Sequence, residues 1–152
     1  MIRSFADWFE QAESRGVGLA ELVEQREIKE TGVSREAVRK RIADALAVMR
    51  HAVEEGLEET GTSPSGLTGG RSGRLVSDGP RLLGENFTAM LSRAIATLET
   101  NARMGLIMAT PTAGAAGVVP AVLLTLAPER GWSDDRLVDA MLVAGGTGII
   151  IA

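Results

Sequence analysis

An all-α chain is what this sequence predicts, on three observations. Apolar residues recur at helical spacing in every long segment, none shows the strict alternation of a half-buried strand, and glycine gathers in a few loops instead of spreading evenly. The 152 residues suffice for one domain with a buried core or for a large piece of a bigger one. An apolar share of 45% and a charged share of 24% are those of a globular chain, which argues against disorder.

The first helix follows from Phe5, Trp8, Phe9 and Ala12, with Ser4 and Asp7 placed as a capping pair. Leu19, Leu22, Val23 and Arg26 line a second helix that ends at the turn Thr31-Gly32-Val33. Ser34 then caps the longest helix, over about 35–59, because Val38, Ile42, Ala45, Leu46, Met49, Val53 and Leu57 hold one stripe. From Gly61 to Pro80 the composition changes to Gly, Ser, Thr, Pro and Arg; this is too glycine-rich for a helix and predicts a long loop, functional or mobile. Phe87, Met90, Leu91, Ala94, Ile95 and Leu98 restore helical spacing up to about Met104.

Residues 104–127 carry no charge, and their length alone would permit a membrane span. Pro111, Pro120 and the glycines break the stretch into a helix end, a turn and a buried helix with Pro120 in its first turn, so no span is expected. Ser133 caps a last helix with Asp134 and Asp135 in its first turn. The uncharged ending LVAGGTGIIIA calls for burial, which suggests a truncated chain.

A net charge of −4 gives no overall basic field for nucleic acid or anionic lipid. The absence of cysteine removes disulfides and thiolate ligands, and His51 alone cannot make a histidine cluster, so no metal ligand and no catalytic residue is assigned. The charged, amphipathic N-terminus lacks the apolar core of a signal peptide, and a cytoplasmic location is expected.

Three segments could carry function. Residues 20–45 look like a helix-turn-helix with Arg35, Arg39, Lys40 and Arg41 on its second helix, the alternative reading being a DNA-binding regulator. That helix continues far beyond the length of a recognition helix and later carries Glu54, Glu55, Glu58 and Glu59, which would repel phosphates. Ser65-Gly66-Leu67-Thr68-Gly69-Gly70 offers backbone N–H groups and hydroxyls to a small anion, although as a bare motif it fits a flexible linker better. Thr110 to Gly117 opens a buried helix, which suits a carboxylate or, equally, helix packing through small residues; Asn101 lies just upstream.

Three stretches together carry a resemblance: LEETGTSPSGLTGG from Leu57 to Gly70, NARMGLIMATPTAGAAGVVPAVL from Asn101 to Leu123, and the final AGGTGIIIA. The chain resembles the front part of the alpha chain of the iron-sulfur-dependent L-serine dehydratases, or L-serine ammonia-lyases, over nearly its whole length. The resemblance implies an all-α catalytic domain with a [4Fe-4S] cluster in the intact enzyme, one iron acting as Lewis acid on the serine hydroxyl. It implies L-serine as substrate, a beta chain of the same enzyme as partner, and a homo- or hetero-oligomer. The cluster cysteines would lie beyond Ala152, so this chain as given is expected to hold no cluster and to be an inactive fragment. Carried over as substrate-binding residues are Ser65, Thr68, Gly69 and Gly70 with Asn101, Thr112, Ala113 and Gly114. A pyridoxal-phosphate enzyme runs the same reaction, but Lys29 and Lys40 both fall in the N-terminal helices, far in sequence from the glycine loops.

Overall fold

The computed structural model describes residues 4–58, 61–79, 84–110 and 112–151, and every regular element among them is helical. They are α1 (Phe5–Arg15), α2 (Leu19–Thr31), α3 (Arg35–Glu58), α4 (Arg71–Asp78), α5 (Glu85–Ala102), a single 3-10 turn at Ala113–Ala115, α6 (Val118–Arg130) and α7 (Asp134–Ile151). The chain divides into two compact units, one of residues 1–44 with 133–152 and the other of 45–132. The expected end of α3 at 59 lies outside the described residues, and no described helix is long and apolar enough to cross a membrane.

In the first unit, Trp8 packs with Leu22, Val23, Val38, Val138 and Leu142. The caps are the ones the sequence shows: Ser4, Ser34 and Ser133 accept from the N–H groups of Asp7, Ala37 and Arg136 at 3.2, 3.2 and 3.3 Å. The glycine-rich end of the chain stays helical as part of α7. Gly146 lies against Trp8 and Val23, where a Cβ would come within 2.7 Å of the indole, and the Thr147 hydroxyl donates to the Val143 carbonyl.

One carboxylate in this unit is buried. Glu24, 1% exposed, is met by Arg35 at 2.9 Å and Arg39 at 3.6 Å, and Arg39 also reaches Asp139 at 3.0 Å and Asp135 at 3.3 Å. Hydrogen bonding to Asp139 raises the Arg39 pKa further, so its charge is permanent.

The second unit is organised differently from what the apolar spacing of α5 suggests. Phe87, Leu91 and Leu98 are exposed, while Ser92, Ala96, Thr97, Glu99 and Thr100 are buried. The physical reason is a close helix approach: a Cβ on Gly56 of α3 would lie 2.1 Å from the Ala96 carbonyl oxygen. Hydroxyls of α5 then satisfy main-chain carbonyls of two neighbouring helices, Thr100 donating to Ala52 of α3 at 2.8 Å and Ser92 to Ser72 of α4 at 2.7 Å. Each such bond is worth about 1 kcal/mol net.

The segment 71–78, expected to be loop, is helix α4. Gly70 and Gly79 bound it, and Ser72 is fully buried. Composition argued for a loop; tertiary hydrogen bonds to the first turn of this helix override it.

Two stability outcomes follow. Gly56→Ala should destabilise the chain by about 2 kcal/mol in urea unfolding, because the clash is with backbone and overpacking outweighs the roughly 1 kcal/mol of helix propensity gained. Arg39→Met should cost about 3 kcal/mol by the same measurement, since it removes one of the two cations that compensate buried Glu24.

Candidate functional site

The loop from Gly61 to Gly70 is an ordered turn. The Ser63 N–H donates to the Thr68 carbonyl at 2.7 Å, the Gly66 N–H donates to the Ser63 carbonyl at 2.8 Å, and the Thr68 N–H reaches Ser63 Oγ at 3.4 Å. Ser65 is exposed; its hydroxyl lies 3.0 Å from that of Ser63 and accepts from the Leu67 N–H at 3.4 Å. Thr68 is half-buried, and its hydroxyl takes no part in these bonds. Gly69 has φ 155°, and a Cβ there would lie 2.2 Å from the Gly61 carbonyl oxygen, so the two ends of the loop touch only because side chains are absent.

α5 holds this loop at both ends. The Arg103 guanidinium, just past α5, donates to the Gly61 carbonyl at 3.4 Å. Glu99, 1% exposed, accepts from the N–H groups of Arg71 at 2.9 Å and Ser72 at 3.4 Å, the first turn of α4. Ser72 Oγ stands 2.7 Å from Glu99 Oε2 and 2.8 Å from the Gly56 carbonyl, and its one proton serves either. Burial pushes the Glu99 carboxyl up, but the Arg71 N–H, the Ser72 hydroxyl and N–H and the Arg103 charge outweigh it, so Glu99 titrates below its ordinary value. The N-terminus of α4 is thus occupied by a charge of the chain's own.

In the second loop, Thr112 is exposed and accepts from the Ala115 N–H at 3.3 Å, which leaves its hydroxyl proton available; Ala113 and Gly114 are exposed on the 3-10 turn. The two glycines of this segment differ. Gly117 is buried, and a Cβ there would meet the Ala94 carbonyl oxygen at 2.4 Å, whereas a Cβ on Gly114 would meet nothing within 4 Å. Packing through small residues explains Gly117 but not Gly114. Thr110 Oγ1 beside this turn is buried and has no hydrogen-bond partner among the described residues. Pro111 lies outside those residues.

Asn101 is exposed in the last turn of α5, two residues beyond Glu99. All eight sequence-predicted site residues fall in the 45–132 unit, Ser65 to Gly70 in one ordered turn and Thr112 to Gly114 in another. Among the described residues no hydrogen bond joins the two loops. Sequence reasoning missed Glu99 and Ser72. The signal available was that Glu99 is the sole carboxylate between Glu85 and Glu129, in a stretch otherwise fit for burial.

Histidine and the basic helix carry little of this. His51 is exposed and 3.9 Å from Glu55. Within residues 20–45, Arg35 and Arg39 are committed to Glu24 and Lys40 to Asp44 at 2.7 Å, so three of the four basic side chains named for a DNA-binding helix are engaged within the chain. A [4Fe-4S] cluster is held by cysteine thiolates. The chain has none, and no group of three His, Cys, Asp or Glu side chains among the described residues could hold a metal ion, so these residues do not fit as its ligands.

Two small-residue loops bearing hydroxyls thus lie in one all-α unit. The family model described as serine dehydratase alpha chain matches residues 14–152. A probable L-serine dehydratase, alpha chain, of Bacillus subtilis (strain 168) is 33% identical over 155 residues, covering 100% of this chain and 51% of that protein. The L-serine dehydratase, alpha chain, of Peptoniphilus asaccharolyticus is 25% identical over 154 residues, 99% of this chain and 53% of its own. An L-serine dehydratase of Streptomyces coelicolor is 33% identical over 122 residues, 74% of this chain and 26% of its own. The chain belongs to the serine dehydratase alpha chain family. It spans about half the length of the first two relatives. No solved structure matches it.

The depressed Glu99 pKa carries a sign. Its charged form stabilises the fold at pH above the unfolded carboxyl value of about 4.3, and that contribution is lost as pH falls through the lower folded value. Urea unfolding of the wild-type chain and of Glu99→Gln across this range should show a stability gap that is full at neutral pH and narrows on acidification.

Proposed function

We propose that this chain contributes the substrate-binding loops of an L-serine dehydratase that works with a beta chain. The observation that carries the reading is the family match over residues 14–152, with relatives that bear this name aligned along the whole chain. The reaction removes the Cα proton and the Cβ hydroxyl of L-serine as water, leaving 2-aminoacrylate. Its imine tautomer then takes up water and releases pyruvate and ammonia, so one water is lost and one consumed.

Within that reaction the residues of this chain bind and orient. Ser65 and Thr68 on one loop and Thr112 on the other offer hydroxyls to the serine carboxylate and ammonium; Asn101 adds an amide that can serve either. Ala113 and Gly114 leave room for the backbone to approach the ligand, and the open surroundings of Gly114 favour this role over packing. Gly69 and Gly70 act through the shape they give the first loop, since the N–H groups that follow them already serve Glu99. Any cluster of the intact enzyme takes its thiolates from outside these 152 residues, because the chain contains no cysteine.

The test is pyruvate formation from L-serine by the complete enzyme, expressed anaerobically with its beta chain. Turnover is expected, and Thr68→Ala and Thr112→Ala should each lower kcat/KM about tenfold or more. Gly114→Ala should leave stability within about 0.5 kcal/mol while lowering kcat/KM, whereas Gly117→Ala should destabilise by about 2 kcal/mol. Unchanged serine kinetics in all three loop variants would remove the site assignment, and no turnover by the wild type would remove the function.

A further inference from the structure

The loop that is expected to meet L-serine has a holder that is not itself exposed to substrate. The end of α5 reaches both ends of the 61–71 segment, Arg103 holding the Gly61 carbonyl and Glu99 the N–H groups of Arg71 and Ser72. Between these anchors Gly69 lies against Gly61 and Gly70 adopts φ 65° as it enters α4.

A carboxylate 1% exposed keeps its charge only with donors, and here two of the three are backbone N–H groups whose placement constrains the backbone that leads into α4. An uncharged side chain at 99 could not accept from all three donors at once: the carboxylate uses Oε1 for Arg71 and Oε2 for both groups of Ser72. The same arrangement fills the positive end of α4 with a charge of the chain's own.

We propose that Glu99 is a positioning residue for the substrate loop: its buried carboxylate locks the start of α4 and so sets the Thr68–Gly70 backbone on which L-serine is oriented. This rests on the function proposed above. Glu99 does not touch substrate; it acts through Arg71 and Ser72.

The experiment compares wild type, Glu99→Gln and Glu99→Asp in the complete enzyme by serine kinetics and by amide hydrogen exchange in peptides covering 61–72 and 118–130. Glu99→Gln should raise KM for L-serine about tenfold with a smaller change in kcat. It should also speed exchange in 61–72 while 118–130 is unchanged, and Glu99→Asp, which keeps the charge, should recover part of both effects. A lowered melting temperature with KM unchanged would show a merely structural carboxylate and overturn the proposal. So would unchanged exchange in 61–72. Should Glu99→Gln fail to fold, Ser72→Ala removes only the hydroxyl donor, and the same two readouts should move in the same direction by a smaller factor; no movement in either overturns the proposal. A wild type that leaves L-serine untouched sinks the substrate reading, and with it the substrate part of this proposal, while the exchange data, which need no substrate, still decide whether Glu99 locks the loop.

Discussion

A carboxylate taken out of water has to find donors, and Glu99 finds three of them at the start of α4. Much else in the 45–132 unit is arranged around that requirement. Ser72 must be buried to reach Glu99, and Gly56 must be bare for α3 to approach Ala96. The Thr100 hydroxyl then meets a main-chain carbonyl of α3 at that close approach, and the Ser92 hydroxyl meets one of α4. The usual order is inverted as a result: the small and polar side of α5 is inside, and Phe87, Leu91 and Leu98 are left out.

The 1–44 and 133–152 unit solves a related problem with side chains. Glu24 is equally buried, yet it is compensated by two arginines, and Arg39 is tied in turn to Asp135 and Asp139. Arginine suits that role because its fork meets several carboxylates at once. The basic residues that give 20–45 the look of a DNA-binding element are therefore largely spent on internal pairing. A local pattern that suggests one function is accounted for by the packing of its own unit.

The candidate site was partly legible. Both small-residue loops were visible as breaks in helical spacing, and the hydroxyl residues on them were identifiable from type alone. The distinction between Gly114 and Gly117 was not, because it depends on what lies opposite each residue. Nor was the helix at 71–78, whose glycine, serine and arginine content reads as loop until Glu99 is placed at its first turn. The 65–70 segment reads as a linker in isolation, yet it is a turn closed by its own backbone bonds to Ser63 and flanked by anchors at Gly61 and Arg71 from residues 42 and 28 positions further on.

What the sequence by itself determined is the all-α class, the caps at Ser4, Ser34 and Ser133, the long α3 stripe and the family, because these rest on local spacing or on residues matched in order. Tertiary structure decided which face of α5 is buried, that α4 exists, and that the anion site at its start is already filled. Those outcomes depend on backbone approach and on the solvation of one charge, quantities set by residues far apart in the chain, and no window along the sequence contains both partners.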